Sequence, residues 1–356
     1  DTVAEINTLG AAVQKIMDQA ALPSTTVTGS LSEADKQSWL SAFQTLGVTG
    51  LDIGAADDAG NIQTVLDRLA ATLDDGSALD TVKEIQDVVD AVNASLQVII
   101  DYANSNDPSY TKPVVIPNVA DYANAGIKNG STPLVNAGNH TAINNAINAL
   151  SGGDVDTRAK IKGVVNAYQA ILDFANGTVS DSASKPTVDQ YTKIGVNLST
   201  AGVLKSGAAD APVLSLFTDA VGAKEDAAVD SPAKLEALAK TAADLVRQAR
   251  EDVRDPVKAP LTLARLQDLG VFNDLSSSPA DSTLNDRKVA AFLDAVKRSA
   301  NDGSGVDTLA EVQGIASSFS KILDYAADAT GAPAPVMSDY TKVGVTVAVN
   351  APATEA

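Results

Sequence analysis

Leu79-Asp80-Thr81-Val82-Lys83-Glu84-Ile85, running on to Ile100-Asp101-Tyr102-Ala103, is the stretch from which the architecture follows. Thr81-x-x-Glu84 is a capping box: the Thr hydroxyl accepts from the amide three residues on, and the Glu carboxylate reaches back to the cap amide. Behind the cap, Ile85, Val88, Val89, Val92, Leu96, Ile99 and Ala103 recur at helical spacing, so the segment reads as a one-faced amphipathic helix. At roughly 22 residues such a helix is about 33 Å long.

The stretch recurs. Related versions start at Asp1-Thr2, Asp156-Thr157, Asp230-Ser231 and Asp307-Thr308, which sets the leading aspartates 79, 76, 74 and 77 residues apart. Self-similarity at such a period marks a repeat protein. Thr2-x-x-Glu5 and Thr308-x-x-Glu311 repeat the capping box. Thr157 and Ser231 keep the cap but have Lys160 and Lys234 in place of the Glu. Pro232 follows Ser231 at the first helical position, where a missing N–H costs nothing.

After each long helix comes a connector rich in helix breakers: Pro23; Pro108, Pro113 and Pro117; Pro186; Pro256 and Pro260; Pro333 and Pro335. A second signature follows. Phe43-x-x-Leu46-Gly47-Val48 returns as Tyr122 to Ile127, Tyr191 to Val196, Leu266 to Val271 and Tyr340 to Val345. It predicts a short helix stopped by a left-handed Gly, with the aromatic or Leu and the Val or Ile forming the contact of a Schellman motif. A middle helix then carries Ile62, Val65, Leu66 and Leu69, and in later copies Ile143 to Leu150, Val213 to Val221 and Val289 to Val296. Short acidic loops lead into the next marker aspartate.

The expected fold is therefore all-α: a linear array of up-and-down three-helix bundles, because three amphipathic helices can bury what one cannot. The expected organisation is 1–22, the long helix of an incomplete repeat; three-helix repeats at 31–107, 118–180, 187–254 and 260–331; and 336–356, the start of another incomplete repeat. Lys342 to Val349 alternates apolar residues at period two, which alone would suggest a strand. Read as a truncated copy of the Gly-Val signature, it needs none.

Composition narrows the function classes. Forty-five acidic residues against 26 basic give a formal charge of −19, which argues against nucleic acid and anionic membranes and favours solubility. Cysteine is absent, so disulfides, thiolate metal sites and a cysteine nucleophile are excluded. No apolar run is long enough to cross a bilayer. The chain shows no signal-peptide pattern and opens on a helix cap, which suggests a segment of something longer.

Chemistry-bearing motifs are scarce, and no residue is singled out as catalytic, cofactor-binding or metal-ligating. His140 is the single histidine and is expected as an exposed helix-start residue; Trp39 is expected to pack into its bundle. The recurrent candidates are the acidic loops, where Asp75 pairs with Asp80, Asp154 with Asp156, Asp226 with Asp230 and Asp302 with Asp307. Ca²⁺ takes six to eight oxygens and these loops lack EF-hand spacing, so the expected role is turn formation and helix-terminus charge, with weak Ca²⁺ binding as the rival.

The Asp-Thr-x-x-Glu cap, the Ile/Leu-Asp-Tyr-Ala ending and the Asp-Tyr-x-x-x-Gly-Val signature, clearest at Asp307 to Ala326 and Asp339 to Val345, resemble tandem helical repeats of giant type I-secreted, biofilm-associated surface adhesins of Gram-negative bacteria. The fourth copy, with Arg247 to Arg254 and with Leu266 in place of Tyr, departs furthest. The resemblance covers essentially the whole chain and implies an extracellular, structural or adhesive role at a bacterial cell surface. It implies no catalytic residue. The partners expected are the chain itself, head to tail, or neighbouring repeats of a longer chain, with other surface proteins in third place. The alternative is a binding module that grips a host or partner protein through its helical faces.

Overall fold

The computed structural model describes residues 2–22, 31–54, 60–72, 79–176, 185–205, 208–251, 256–273, 275, 282–300, 302–328 and 330–345. Among them are fifteen α-helices and two minimal antiparallel hairpins, so the chain is all-α. It divides into two compact units: Asp1–Ala170 with Lys193–Gly195, and Ile171–Thr192 with Val196–Ala356.

In the first unit, α1 (Val3–Ala20) and α4 (Val82–Asn104) are long helices; α2 (Glu33–Thr45) and α5 (Val119–Asn124) are short; α3 (Ile62–Ala70) and α6 (His140–Ala149) are middle helices. The long helix α7 (Arg158–Ala175) begins here. The capping boxes form at the starts of α1 and α4. Thr81 Oγ1 accepts from the Glu84 amide at 3.2 Å and Glu84 accepts from the Thr81 amide at 2.9 Å; Thr2 and Glu5 do the same. Helix α1 packs on α2 and α3, and α4 packs on α3 and then on α5 and α6. Ile16 and Ala20 of α1, Phe43, Leu46 and Val48, Val65, Leu66 and Leu69, and Ile85, Val89 and Val92 of α4 share one core. The carboxyl half of one long helix and the amino half of the next thus enclose the same short and middle helices. Helix α1, expected as the long helix of an incomplete repeat, packs on the α2 and α3 that follow it. A helix of this length buries one stretch after another, and a one-stripe reading of its sequence misses that division.

In the second unit, α8 (Val188–Lys193) and the single turn α9 (Leu198–Ala201) precede the middle helix α10 (Ala211–Gly222) and the long helix α11 (Pro232–Arg250). The short helix α12 (Leu263–Leu269), middle helix α13 (Ser282–Lys297), long helix α14 (Leu309–Ala327) and short helix α15 (Met337–Lys342) follow. Helix α11 packs on α9 and α10 and also on α12 and α13, while α14 packs on α13 and α15. Serving two sides buries α11 all round its middle: every residue from Thr241 through Val246 is buried.

All five expected stops form. Gly47, Gly126, Gly195, Gly270 and Gly344 have φ of 78, 83, 88, 102 and 79°, a region closed to most L-residues. The next amide donates back to the aromatic or Leu carbonyl, as in Val48 to Phe43 at 3.0 Å, Ile127 to Tyr122 at 2.9 Å, Val271 to Leu266 at 2.8 Å and Val345 to Tyr340 at 3.0 Å. Between stop and middle helix the structure adds two hairpins that periodicity did not suggest. They are β1 (Lys128–Asn129) with β2 (Thr132–Pro133), and β3 (Leu204–Lys205) with β4 (Ala208–Ala209). The alternating tail from 346 to 349 lies outside the described residues.

Candidate functional site

The acidic loops use their carboxylates locally. Asp154 accepts from the Ser151 hydroxyl and amide at 2.6 and 3.0 Å, and these bonds hold its pKa below the usual carboxylate value. Asp302 accepts from the Ser304 amide at 2.9 Å and is lowered for the same reason. Where Lys replaces the capping Glu, it folds back over the loop. Lys160 Nζ donates to Asp156 and the Gly153 carbonyl at 2.7 and 2.8 Å, and Lys234 does so to Asp230 and the Ala227 carbonyl, both at 2.7 Å. In the Glu copies the marker aspartate has a carboxylate neighbour instead. Asp80 is raised by its hydrogen bond with Glu84, and Asp307 is raised by burial and then by Glu311. Asp75 lies outside the described residues. Among the described residues no group of three or more His, Cys, Asp and Glu side chains converges as a cation would need.

His140 does open a middle helix, but it is half-buried and bonded, a correction to the expected exposed position. Its Nε2–H donates to the Pro117 carbonyl at 2.8 Å, which also accepts from Asn144 Nδ2 at 2.9 Å. The buried Tyr122 hydroxyl donates to Asn144 Oδ1 at 2.6 Å. The imidazole thus ties the proline connector to the bundle. Trp39 is half-buried against the first core, with Lys15 Nζ 4.3 Å from its ring centroid.

Two buried asparagines at middle-helix starts were missed. Asn61 Nδ2 donates to the Gly50 carbonyl (2.7 Å) and to Asn93 Oδ1 (2.8 Å), and its Oδ1 accepts from the Asp52 amide (2.7 Å). Asn139 likewise reaches Gln169 Oε1 at 2.8 Å. Asn93 and Gln169 both lie twelve residues past their caps, Thr81 and Thr157. That common offset is the sequence signal that could have found the pairing.

The corresponding position in the second unit is charged. Asp210, at the start of α10, is gripped by Arg250 at 2.5 and 2.9 Å, and Arg250 Nε also donates to the Asp302 carbonyl at 3.1 Å. Six residues back on α11, buried Asp244 accepts from Arg265 Nη2 and the Lys258 amide, both at 2.8 Å, and from Arg247 at 3.3 Å. Arg265 spends its other donors on the Ala259 and Pro260 carbonyls and on Thr241. Lys240, Arg247, Lys258 and Arg265 rim a cleft of about 430 Å³ in this otherwise acidic chain. With Arg265 Nε, Nη1 and Nη2 all donating to protein acceptors, the arrangement is a clamp that fastens the connector to α11.

The amino half of α1 carries exposed apolar residues. Counting from the caps, Ile6 and Val13 of α1 correspond to Ile85 and Val92 of α4. Ile85 and Val92 are 5% and 0% exposed, whereas Ile6 and Val13 are 65% and 45% exposed, with Val3 and Leu9 exposed beside them. At α15, Val345 is 42% exposed where its counterpart Val48 is 2%. Tyr340 is half-buried, although Phe43, Tyr122, Tyr191 and Leu266 at the same position are fully buried.

Comparison with known proteins finds no matching family model, no matching curated protein and no matching solved structure.

Proposed function

We propose that this chain is a non-enzymatic, extracellular structural repeat protein of a bacterial surface, a spacer or adhesive array that builds outward by stacking three-helix repeats. In this reading the repeats are 31–107, 118–180, 187–254 and 260–331, with 1–22 and 336–356 as parts of further ones. The observation that supports it is the double use of long helices. Helix α4 packs on the middle helix before it and on the short and middle helices after it, and α11 does the same. An element that seals one core with its amino half and the next with its carboxyl half propagates along one direction, as solenoid repeats do. The net charge of −19 suits a surface array that must stay soluble. The repeated motifs are caps, stops and connectors, and the buried charge around Asp244 serves as a clamp.

Small-angle X-ray scattering of the whole chain tests the proposal. Four stacked repeats span about 150 Å and give a radius of gyration of about 45 Å, against about 20 Å for a compact chain of this length. A value near the compact one overturns the array.

A further inference from the structure

The clamp around Asp244 leaves a cleft open at its side. The cleft lies between the single turn α9, the middle of α11, the connector and α12, all within the second unit, and holds about 430 Å³. That is a volume typical of small-molecule sites. Its wall is short and apolar: Ala201, Ala237 and Ala259, with Thr200 and Thr241 beside them. Among the described residues no aromatic ring lines it, so it offers a base or other flat ring nothing to stack on.

Positive charge is concentrated here against the trend of the chain. Lys240, Arg247, Lys258 and Arg265 stand against two carboxylates, Asp244 and Asp268, a surplus of two in a chain whose net charge is −19. The two arginines are held in place. Arg265 is fixed by the clamp, and Arg247 is held by Asp244 on one side and by α9 on the other, where a Cβ at Gly202 would meet its Nη2 at 2.5 Å. The Arg247 side chain is only 10% exposed. Charge that is already ordered costs nothing further to arrange when a ligand arrives. The lysines differ, because Lys240 and Lys258 are exposed. Lys240 gives one of its three N–H donors to Glu236, at 3.2 Å. An exposed pair of this kind is weak and exchanges readily for another carboxylate.

We propose that this cleft binds a small aliphatic dicarboxylate, its carbon chain lying on the Ala and Thr wall and its two carboxylates meeting Lys240 and Lys258. A dianion matches the surplus of two charges, and a saturated chain matches a wall of methyl groups. A bare inorganic anion leaves that wall wet, and a monocarboxylate answers only one lysine. The site adds a ligand to the array reading above and does not depend on it.

Isothermal titration calorimetry of the full chain at low ionic strength is the test, with succinate as the probe and butyrate and inorganic phosphate beside it. Succinate should give a saturable heat at one site per chain, weakened by added salt. It should bind roughly tenfold or more tightly than butyrate, which lacks the second carboxylate. Lys240→Ala and Lys258→Ala alter exposed side chains, so both variants should keep the wild-type circular dichroism while binding succinate roughly tenfold more weakly. Ala237→Leu fills the exposed wall without touching a charge and should abolish succinate binding. A titration with no saturable heat overturns the site. Phosphate binding as tightly as succinate overturns it too, since the cleft is then a patch of charge and nothing more. So does succinate binding that survives Ala237→Leu, or that neither lysine substitution weakens.

Discussion

The two units solve one junction in two chemistries. In the first, the middle-helix start and the long helix are joined by neutral amides, Asn61 to Asn93 and Asn139 to Gln169. The carboxyl end of α4 holds the following loop by Asn104 Oδ1, which accepts from the Gly152 amide at 2.9 Å. In the second, Arg250 does both jobs with charge, gripping Asp210 on one side and the Asp302 carbonyl on the other, and Asp244 adds a second ionic knot. The topological demand is the same: a polar group at the start of a middle helix, buried by the long helix, needs a partner. An amide pair meets it at small desolvation cost. An ion pair costs more to bury and is far more damaging to break by halves.

That contrast can be attacked directly. The largest effect is expected for Asp244→Ala, which strands Arg265 and the Lys258 amide. It should destabilise the second unit by about 3 kcal/mol or more, read as an earlier urea transition, with the first unit's transition unmoved. A loss no larger than a surface substitution would remove the clamp from the account. Asn61→Ala strands the Asp52 amide and Asn93 Oδ1, and should cost the first unit about 1–3 kcal/mol. A double cycle with Asn93→Ala should show strong coupling between the two. Smaller still, Thr81→Ala and Thr308→Ala remove equivalent caps in the two units and should each cost about 1 kcal/mol. Unequal losses would mean that the junctions feed back on the caps.

The gentlest probe is pH. Glu84, Asp154, Asp302 and Asp339 are held below their ordinary values by Thr81, Ser151, Ser304 and Lys321 respectively. Each therefore contributes stability that is present above the ordinary carboxylate range, near about 4, and is lost as pH falls through the lowered folded value. Asp80 and Asp307 are raised, so they oppose folding when ionised, and that cost is relieved as pH falls through their folded values. Thermal melts should rise slightly as acid first neutralises this pair of aspartates, then fall below the carboxylate range. A midpoint still climbing in strong acid would contradict the assignment.

Caps and stops were legible in the sequence because each depends on residues three to five positions apart. Thr81 and Glu84, or Phe43 and Val48, meet whatever the rest of the chain does. The middle helices were legible because their apolar spacing faces one side. The junctions were not. Asn61 and Asn93 are 32 residues apart, and Arg250 and Asp210 are 40. Nothing in an asparagine or an arginine tells which distant carbonyl or carboxylate it will meet. His140 was misread for the same reason, since its partner Pro117 belongs to the preceding connector.

What the amino-acid sequence determined by itself is the punctuation: where helices begin, where they stop in a left-handed glycine, and with what period. These are short-range matters of backbone geometry and hydrogen-bond supply. Only the tertiary structure decided that a long helix serves two cores. Burial of Thr241 and Asp244 in the middle of α11 depends on α9 and α10 packing on it as well as α12 and α13, and a stripe of residues on one helix does not record how many neighbours will cover it.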